Sequence, residues 1–300
     1  MNRLKKEMSK NWLLYLMFLP AFLYYVIFCY VPMVGSVMAF QNYHPADGIL
    51  GSQWVGFKHF IDFFTNYYFW TLIRNTVWIN IVGLAFVFPA PILFALLLNE
   101  IYTKKFKSVV QTISYMPHFI SLVVMCGMVK AFVSDTGFIS AFVSLFTGER
   151  VNLLGDPKYF VTIFTASGIW QELGWNSIIY IAALSAVDES LYEAAKIDGA
   201  GKLKQVIHVT LPGILPTIVI MLIMNIGTML SVGYEKIILL YNDLVLDKAD
   251  VISSFVYRKG LVDMNWSYST AVGLFSSAVN FALVMGSNYL SRKFSESSLW

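Results

Sequence analysis

A chain of 300 residues that is 57% hydrophobic and only 13% charged, with 24 Phe, 17 Tyr and 8 Trp, is not a soluble domain. Its mean hydropathy of +0.64 points to an integral membrane protein, and a formal net charge of +3 is too small to indicate nucleic-acid binding. The two cysteines, Cys29 and Cys126, both fall in apolar runs, so neither a disulfide framework nor a thiolate metal site is expected.

Asn11 to Ala46 is the first window free of Asp, Glu, Lys and Arg. Arg3, Lys5, Lys6 and Lys10 precede it as they would a signal peptide. Its apolar core is too long for that, and no small-x-small cleavage site ends it, so it reads as a retained span. The windows Asn75 to Asn99, Val109 to Val129, Val209 to Tyr234 and Asn265 to Ser291 are also free of charge. Each is long enough to cross about 30 Å of hydrocarbon. A further window, Tyr159 to Val187, is broken by one acid, Glu172. The expected fold is all-α: one integral-membrane helical bundle of six transmembrane helices over residues 1–300, with no visible internal repeat and no low-complexity linker.

Prolines punctuate these windows at Pro20, Pro32, Pro89, Pro91, Pro117, Pro212 and Pro216. Proline in a membrane helix removes a backbone hydrogen bond and permits a kink where neighbours compensate. Lys and Arg set the expected orientation. Residues 1–11, 99–108, 188–212 and 291–300 hold 12 positive charges in 56 residues, whereas 41–69, 134–159 and 233–269 hold 7 in 92. The denser set is expected in the cytoplasm, with both termini and the loop 188–212, and the chain in the plasma membrane. Arg74 and Lys130 near span ends read as snorkelling cations, and Trp70 and Trp300 as rim aromatics.

The loop 188–212 is polar and helix-forming, and it contains Gly199-Ala200-Gly201-Lys202. A phosphate loop needs G-x-x-x-x-G-K-[ST]; here Lys196 stands at the first glycine position and Leu203 at the hydroxyl position, so no nucleotide binds. Asp188 can cap a short helix through about Ile197, with Leu191, Ala194 and Ala195 forming a small apolar stripe. Gly199 and Gly201 then allow a sharp bend. A second short helix shows Leu203, Val206 and Ile207 on one side and Lys202, Lys204 and Gln205 elsewhere, before Leu211-Pro212 starts the next span. Such a hairpin either rests on lipid or offers a docking surface to a soluble partner. Ala194 and Ala195 are poor lipid anchors but allow close approach of another backbone.

Glu193-Ala194-Ala195, then Gly199 after three residues, then Leu211-Pro212, resembles the signature of permease subunits of binding-protein-dependent ABC importers, with Val209 where that signature carries isoleucine. The extension IDGAG, the segment SYMPHFIS in the third window, and ADVISSFVYRKGL and YSTAVGLF near the end resemble its sugar and oligosaccharide branch in Gram-positive bacteria. The resemblance implies a carbohydrate import permease with no ATPase site or cofactor of its own, ATP and Mg being bound by a separate ATPase. It implies as partners a second permease, two ATPase subunits, an extracellular solute-binding lipoprotein and an oligosaccharide. It makes the loop a pair of coupling helices, with Glu193, Ala194, Ala195, Asp198, Gly199, Gly201, Leu211 and Pro212 as coupling residues. Glu193 would contact the ATPase, and Gly199 would form the bend.

A lone acid at mid-bilayer costs about 2.5–3.5 kcal/mol on insertion scales, so Glu172 should face the bundle interior or water. On a helix Gly168, Glu172 and Trp175 share one face with Asn176 beside it, and an aromatic next to hydrogen-bonding groups suits a pyranose. A structural acid bonded to a neighbouring helix is the alternative. In the maltose-importer branch, sugar contacts come from the spans flanking the coupling loop, which adds Asn225, Thr228 and Tyr234 as pathway candidates. Asn225 serves equally as a helix–helix hydrogen bond. The four histidines, His44, His59, His118 and His208, are scattered and form no metal-ligand set or nucleophile–base pair. The competing function is a proton-coupled secondary carrier titrating Glu172, which leaves the loop unexplained.

Overall fold

The computed structural model describes residues 10–150, 152–231 and 233–294; Trp300 and the basic residues Arg3, Lys5 and Lys6 lie outside them. Among the described residues, five helical stretches are long and apolar enough to cross a membrane: α1 (Trp12–Phe40), α2 (Phe69–Asn99), Leu122–Phe146, a helix beginning at Lys202 and one beginning at Trp266. The sixth expected span is a continuous 28-residue helix, Pro157–Leu184. It falls short on apolar content because it carries buried Thr165, Ser167, Gln171 and Ser177 as well as Glu172. Length still suffices, at about 42 Å for an α-helix of that size.

The third expected span is corrected. The uncharged window Val109 to Val129 is two pieces, α3 (Lys104–Tyr115) and α4 (Leu122–Val133). Between them Met116–Phe119 tightens to a 3-10 turn holding Pro117, and Ile120 is extended. Ser121 then restarts the helix, its Oγ accepting the Val124 N–H. At about 18 Å, α4 alone cannot span, and α5 (Phe138–Thr147) continues it after a turn. Hydropathy reads composition over a window and is blind to this break.

Further helices follow α5 in order: α6 (Pro157–Leu184), α7 (Glu189–Ile197), α8 (Lys202–Gly227), α9 (Tyr234–Leu240), α10 (Ile252–Tyr257) and α11 (Trp266–Phe294), with short helices such as Lys58–Phe64 left unnumbered. The fifth expected span therefore starts earlier than Val209 and ends at Gly227, well before Tyr234. Its second short helix is not separate but runs straight into the span.

Three of the prolines share one device. The wide π-turns Val26–Tyr30, Gly83–Val87 and Val206–Thr210 are each followed two residues later by a proline, Pro32, Pro89 and Pro212. Proline lacks an N–H and its ring clashes with the carbonyl four residues earlier. In each case that carbonyl, on Phe28, Ala85 or His208, lies inside the widened turn, which moves it aside. Pro20 and Pro216 sit within regular helix.

The chain forms two compact units. One comprises residues 1–66 and 258–275, the other 67–257 and 276–300. In the first, α1 buries none of Trp12–Tyr25. A two-residue ladder pairs Gln41 with Trp54 and Asn42 with Gln53, and Phe40 stacks on Trp54 while meeting Phe57 and Phe60. In the second, α4, α6 and α9 enclose a core of Met125, Cys126, Val129, Phe160, Ile237 and Leu240. A smaller core joins Ile92 and Ala95 of α2 to Tyr180 and Leu184 of α6 and Ile214 of α8. Where α3 crosses α6, Gly174 is obligatory, because a Cβ there would fall on the Ser114 carbonyl.

Candidate functional site

The hairpin is shaped by short-range bonds. Asp188 Oδ1 accepts the Ser190 N–H at 2.9 Å, which also holds the Asp188 carboxyl below the usual carboxylate range, and Glu189 lies in the first turn of α7. The helix ends as expected near Ile197. Gly199 adopts φ +75°, with its N–H donating to Lys196 O at 3.0 Å and the Ala200 N–H donating to Ala195 O at 2.8 Å. That pair of bonds is a Schellman cap, which needs a left-handed residue at the Gly199 position. Gly201 differs from expectation: it is extended, at φ −66° and ψ 167°, and caps α8 with no left-handed turn of its own. One glycine makes the bend.

The second helix keeps Leu203 and Ile207 on a side apart from Gln205, as expected, and that apolar side faces outward. Gln205 is buried, its Nε2 donating to Ala200 O at 2.7 Å, and Thr210 is buried with its Oγ1 accepting the Tyr192 hydroxyl at 3.0 Å. Large apolar side chains of both helices point outward: on α7 Ile197 is 86% exposed and Leu191 51%, and on α8 Leu203 73% and Ile207 47%. Glu193, Ala194 and Asp198 are exposed beside them, Ala195 and Leu211 are half-buried, and Pro212 is exposed. Lys202 Nζ reaches Glu100 Oε2 at 2.8 Å and lies over the Tyr102 ring, tying the hairpin to the end of α2.

On α6 the predicted residues acquire partners from distant helices. His118 Nδ1 lies 3.0 Å from Glu172 Oε2, a ring N–H donating to the carboxylate. The same imidazole stacks flat on Trp175, with centroids 4.3 Å apart and planes 2° apart, while Phe119 meets the indole edge-on. His118 is thus not an idle member of a scattered set. It occupies one face of the indole that the sequence reading left free for sugar, and Trp175 keeps 42% exposure. One turn above Glu172, Lys236 of α9 donates to Phe164 O at 2.8 Å and lies over the Phe164 ring. Its Nζ sits 3.2 Å from where a Gly168 Cβ would stand, so Gly168 makes room for an ammonium.

Asn176 and Asn225 line one cavity of about 250 Å³ between α2, α6 and α8, together with Asn80 and Tyr180. The Thr228 hydroxyl donates to Asn225 O at 3.1 Å, and Tyr234 stacks on Tyr257. His118, Lys236, Asn80 and Gly174 were missed by sequence reasoning. The only local signal was SYMPHFIS, which placed His118 in a distinctive segment without saying what it would meet. No group of three or more metal-ligating side chains occurs among the described residues.

Long apolar helices, polar groups buried within the helix Pro157–Leu184, and an exposed helical hairpin between two spans are the features of a membrane transport component. The chain matches the family of binding-protein-dependent transport system inner membrane components over residues 87–296, and it belongs to that family. It is 46% identical over 300 residues to the Bacillus subtilis polygalacturonan/rhamnogalacturonan transport system permease protein YteP, covering all of this chain and 94% of that protein. It is 42% identical to Bacillus subtilis LplB, covering 100% and 93%. A solved bacterial ABC transporter involved in the import of the acidic polysaccharide alginate has a chain of TM-score 0.90 and 41% identity, covering 98% of this chain and 99% of that one. The alginate transporter in complex with an alginate pentasaccharide-bound periplasmic protein has a chain of TM-score 0.91 and 40% identity. The chain is therefore a permease subunit, the membrane component of such a system and not its ATPase, and that membership does not favour the proton-coupled reading of Glu172.

Proposed function

We propose that the chain is the permease of an ATP-driven oligosaccharide importer for uronate-containing sugars, coupled to a separate ATPase through residues 188–212 of a single transmembrane domain. The observation that carries the coupling is the inverted hairpin: large apolar side chains on the outside, Gln205 and Thr210 on the inside. A helix that buries its glutamine and exposes its leucine is shaped for another protein's groove. Glu193 and Asp198 add a polar rim, and Gly199 makes the turn. Both termini and the hairpin are assigned to the cytoplasm by the Lys and Arg distribution. ATP and Mg belong to two ATPase subunits, a second permease completes the pair, and an extracellular solute-binding lipoprotein delivers sugar.

The pathway runs along α6. Trp175 offers an apolar surface and Glu172, Asn176 and Asn225 offer hydrogen bonds, with Gly168, Thr228 and Tyr234 along the same route. The uronate assignment draws on the acidic polysaccharides named for YteP and for the alginate transporter. In vesicles holding the assembled importer, uptake of trigalacturonate should require ATP and resist proton uncouplers. Leu203→Asp should cut ATPase co-purification at least tenfold while membrane insertion is kept. Wild-type ATPase retention by Leu203→Asp removes the docking role of this face, and uptake abolished by uncouplers alone removes the importer reading.

A further inference from the structure

A cavity of about 810 Å³ opens between the first half of α2 and the first half of α6, outside the polar face described above. Three cations line it, Arg74, Lys158 and Lys248. Among the described residues none of the three is in an ion pair: the Arg74 guanidinium donates to the neutral Asn75 amide oxygen and to the Asp247 carbonyl, both at 3.4 Å. Among the described residues no acidic side chain lines the cavity. Trp78 stands one turn below Arg74 and is exposed, and the lining beyond it is almost wholly apolar, ending at Phe86 and Ile169.

Charge and depth together identify an occupant. Arg74 to Phe86 is twelve helical residues, about 18 Å, close to the hydrocarbon thickness of one leaflet, about 15 Å. A cationic rim at headgroup depth, an indole just below it and an apolar groove one leaflet deep match an anionic phospholipid. A sugar acid would satisfy the rim but would leave its hydroxyls facing an apolar groove. Small-molecule sites of 300–1,000 Å³ span this volume. We propose that the groove between α2 and α6 binds an anionic phospholipid, with its phosphate held by Arg74, Lys158 and Lys248 and one acyl chain lying past Trp78 toward Phe86.

The probe is phosphatidylglycerol, with phosphatidylcholine as the neutral-charge control. The assembled importer is purified from vesicles of each composition and retained phosphorus is counted per complex. Wild type should retain phosphatidylglycerol and wash free of phosphatidylcholine. Because each surface cation contributes about a fivefold factor toward an anionic headgroup, the triple variant R74Q/K158Q/K248Q should bind phosphatidylglycerol on the order of a hundredfold more weakly. Equal retention by wild type and triple variant overturns the proposal, as does retention of phosphatidylcholine to the same level. A second measurement does not depend on the triple variant folding. Phosphatidylglycerol brominated on its acyl chain should quench part of the tryptophan emission of the wild-type complex, and Trp78→Phe should remove that part. Unchanged quenching in Trp78→Phe overturns the acyl-chain placement. Displacement of the lipid by millimolar trigalacturonate would instead make the groove a sugar site and sink the lipid assignment.

Discussion

Between Asp188 and Pro212 the bonds that shape the backbone join residues a few positions apart: Asp188 to Ser190, Gly199 to Lys196, Ala200 to Ala195, Gln205 to Ala200. On α6 the corresponding contacts close long loops, 54 residues from His118 to Glu172 and 72 from Phe164 to Lys236. A local cap forms at little cost in chain entropy and can persist when distant helices shift, whereas the α6 contacts exist only once α3, α6 and α9 have packed. The hairpin therefore holds its shape by local bonds, and the α6 face reports the arrangement of the whole bundle. Substitutions in the two regions should accordingly fail in different ways.

The largest separation comes from Gly174. Its missing Cβ lets the α3 backbone cross α6 at Ser114, so Gly174→Leu should cost about 3 kcal/mol or more through overpacking against a carbonyl that has no room to yield. Thermal unfolding in detergent should drop steeply, and the permease should lose its partners along with its stability. A Gly174→Leu protein with a wild-type melting curve would mean that α3 and α6 do not touch there.

Gly199 comes next, paired with Gly201 as its own control. At φ +75° a β-branched residue is strained by about 1–2 kcal/mol, although nothing crowds the site. Gly199→Val should abolish coupled uptake while the bundle melts normally. Gly201→Val, at an ordinary φ and with open space around it, should lose far less activity. Equal losses from the two would show that both glycines make the bend, contrary to the geometry.

At the α6 face the effect should be moderate and centred on transport. Trp175→Ala removes a ring stacked on His118, worth about 0.5–1.5 kcal/mol of packing, and should slow uptake while ATPase co-purification stays at wild-type level. His118→Ala should leave the Glu172 carboxylate without its partner and produce the same transport defect. Wild-type uptake by both would remove this face from the sugar path. The smallest effect belongs to Lys202→Gln, which breaks an exposed pair with Glu100 worth at most about 1 kcal/mol. Its influence on coupling should fade as salt is raised, and a large salt-independent loss would place Lys202 in direct contact with the ATPase.

By itself the sequence determined the membrane bundle, because charge-free windows of sufficient length have few alternatives in a bilayer that leaves no backbone group unsatisfied. It likewise determined α7, its Asp188 cap and the Gly199 turn, since those depend on residues within six positions of one another. Tertiary structure decided the rest. The window Val109 to Val129 is apolar throughout yet breaks at Pro117, where Ser121 can restart a helix. The pattern set Gln205 apart from the apolar side of its helix, but only the fold buries it and gives its Nε2 the Ala200 carbonyl. Nothing local said what His118 or Lys236 would meet, and only the packing of the Met116–Phe119 turn and of α9 on α6 brought one to Glu172 and the other over Gly168. Periodicity reports which side of a helix is apolar; it holds no information about which polar group from another helix will stand opposite.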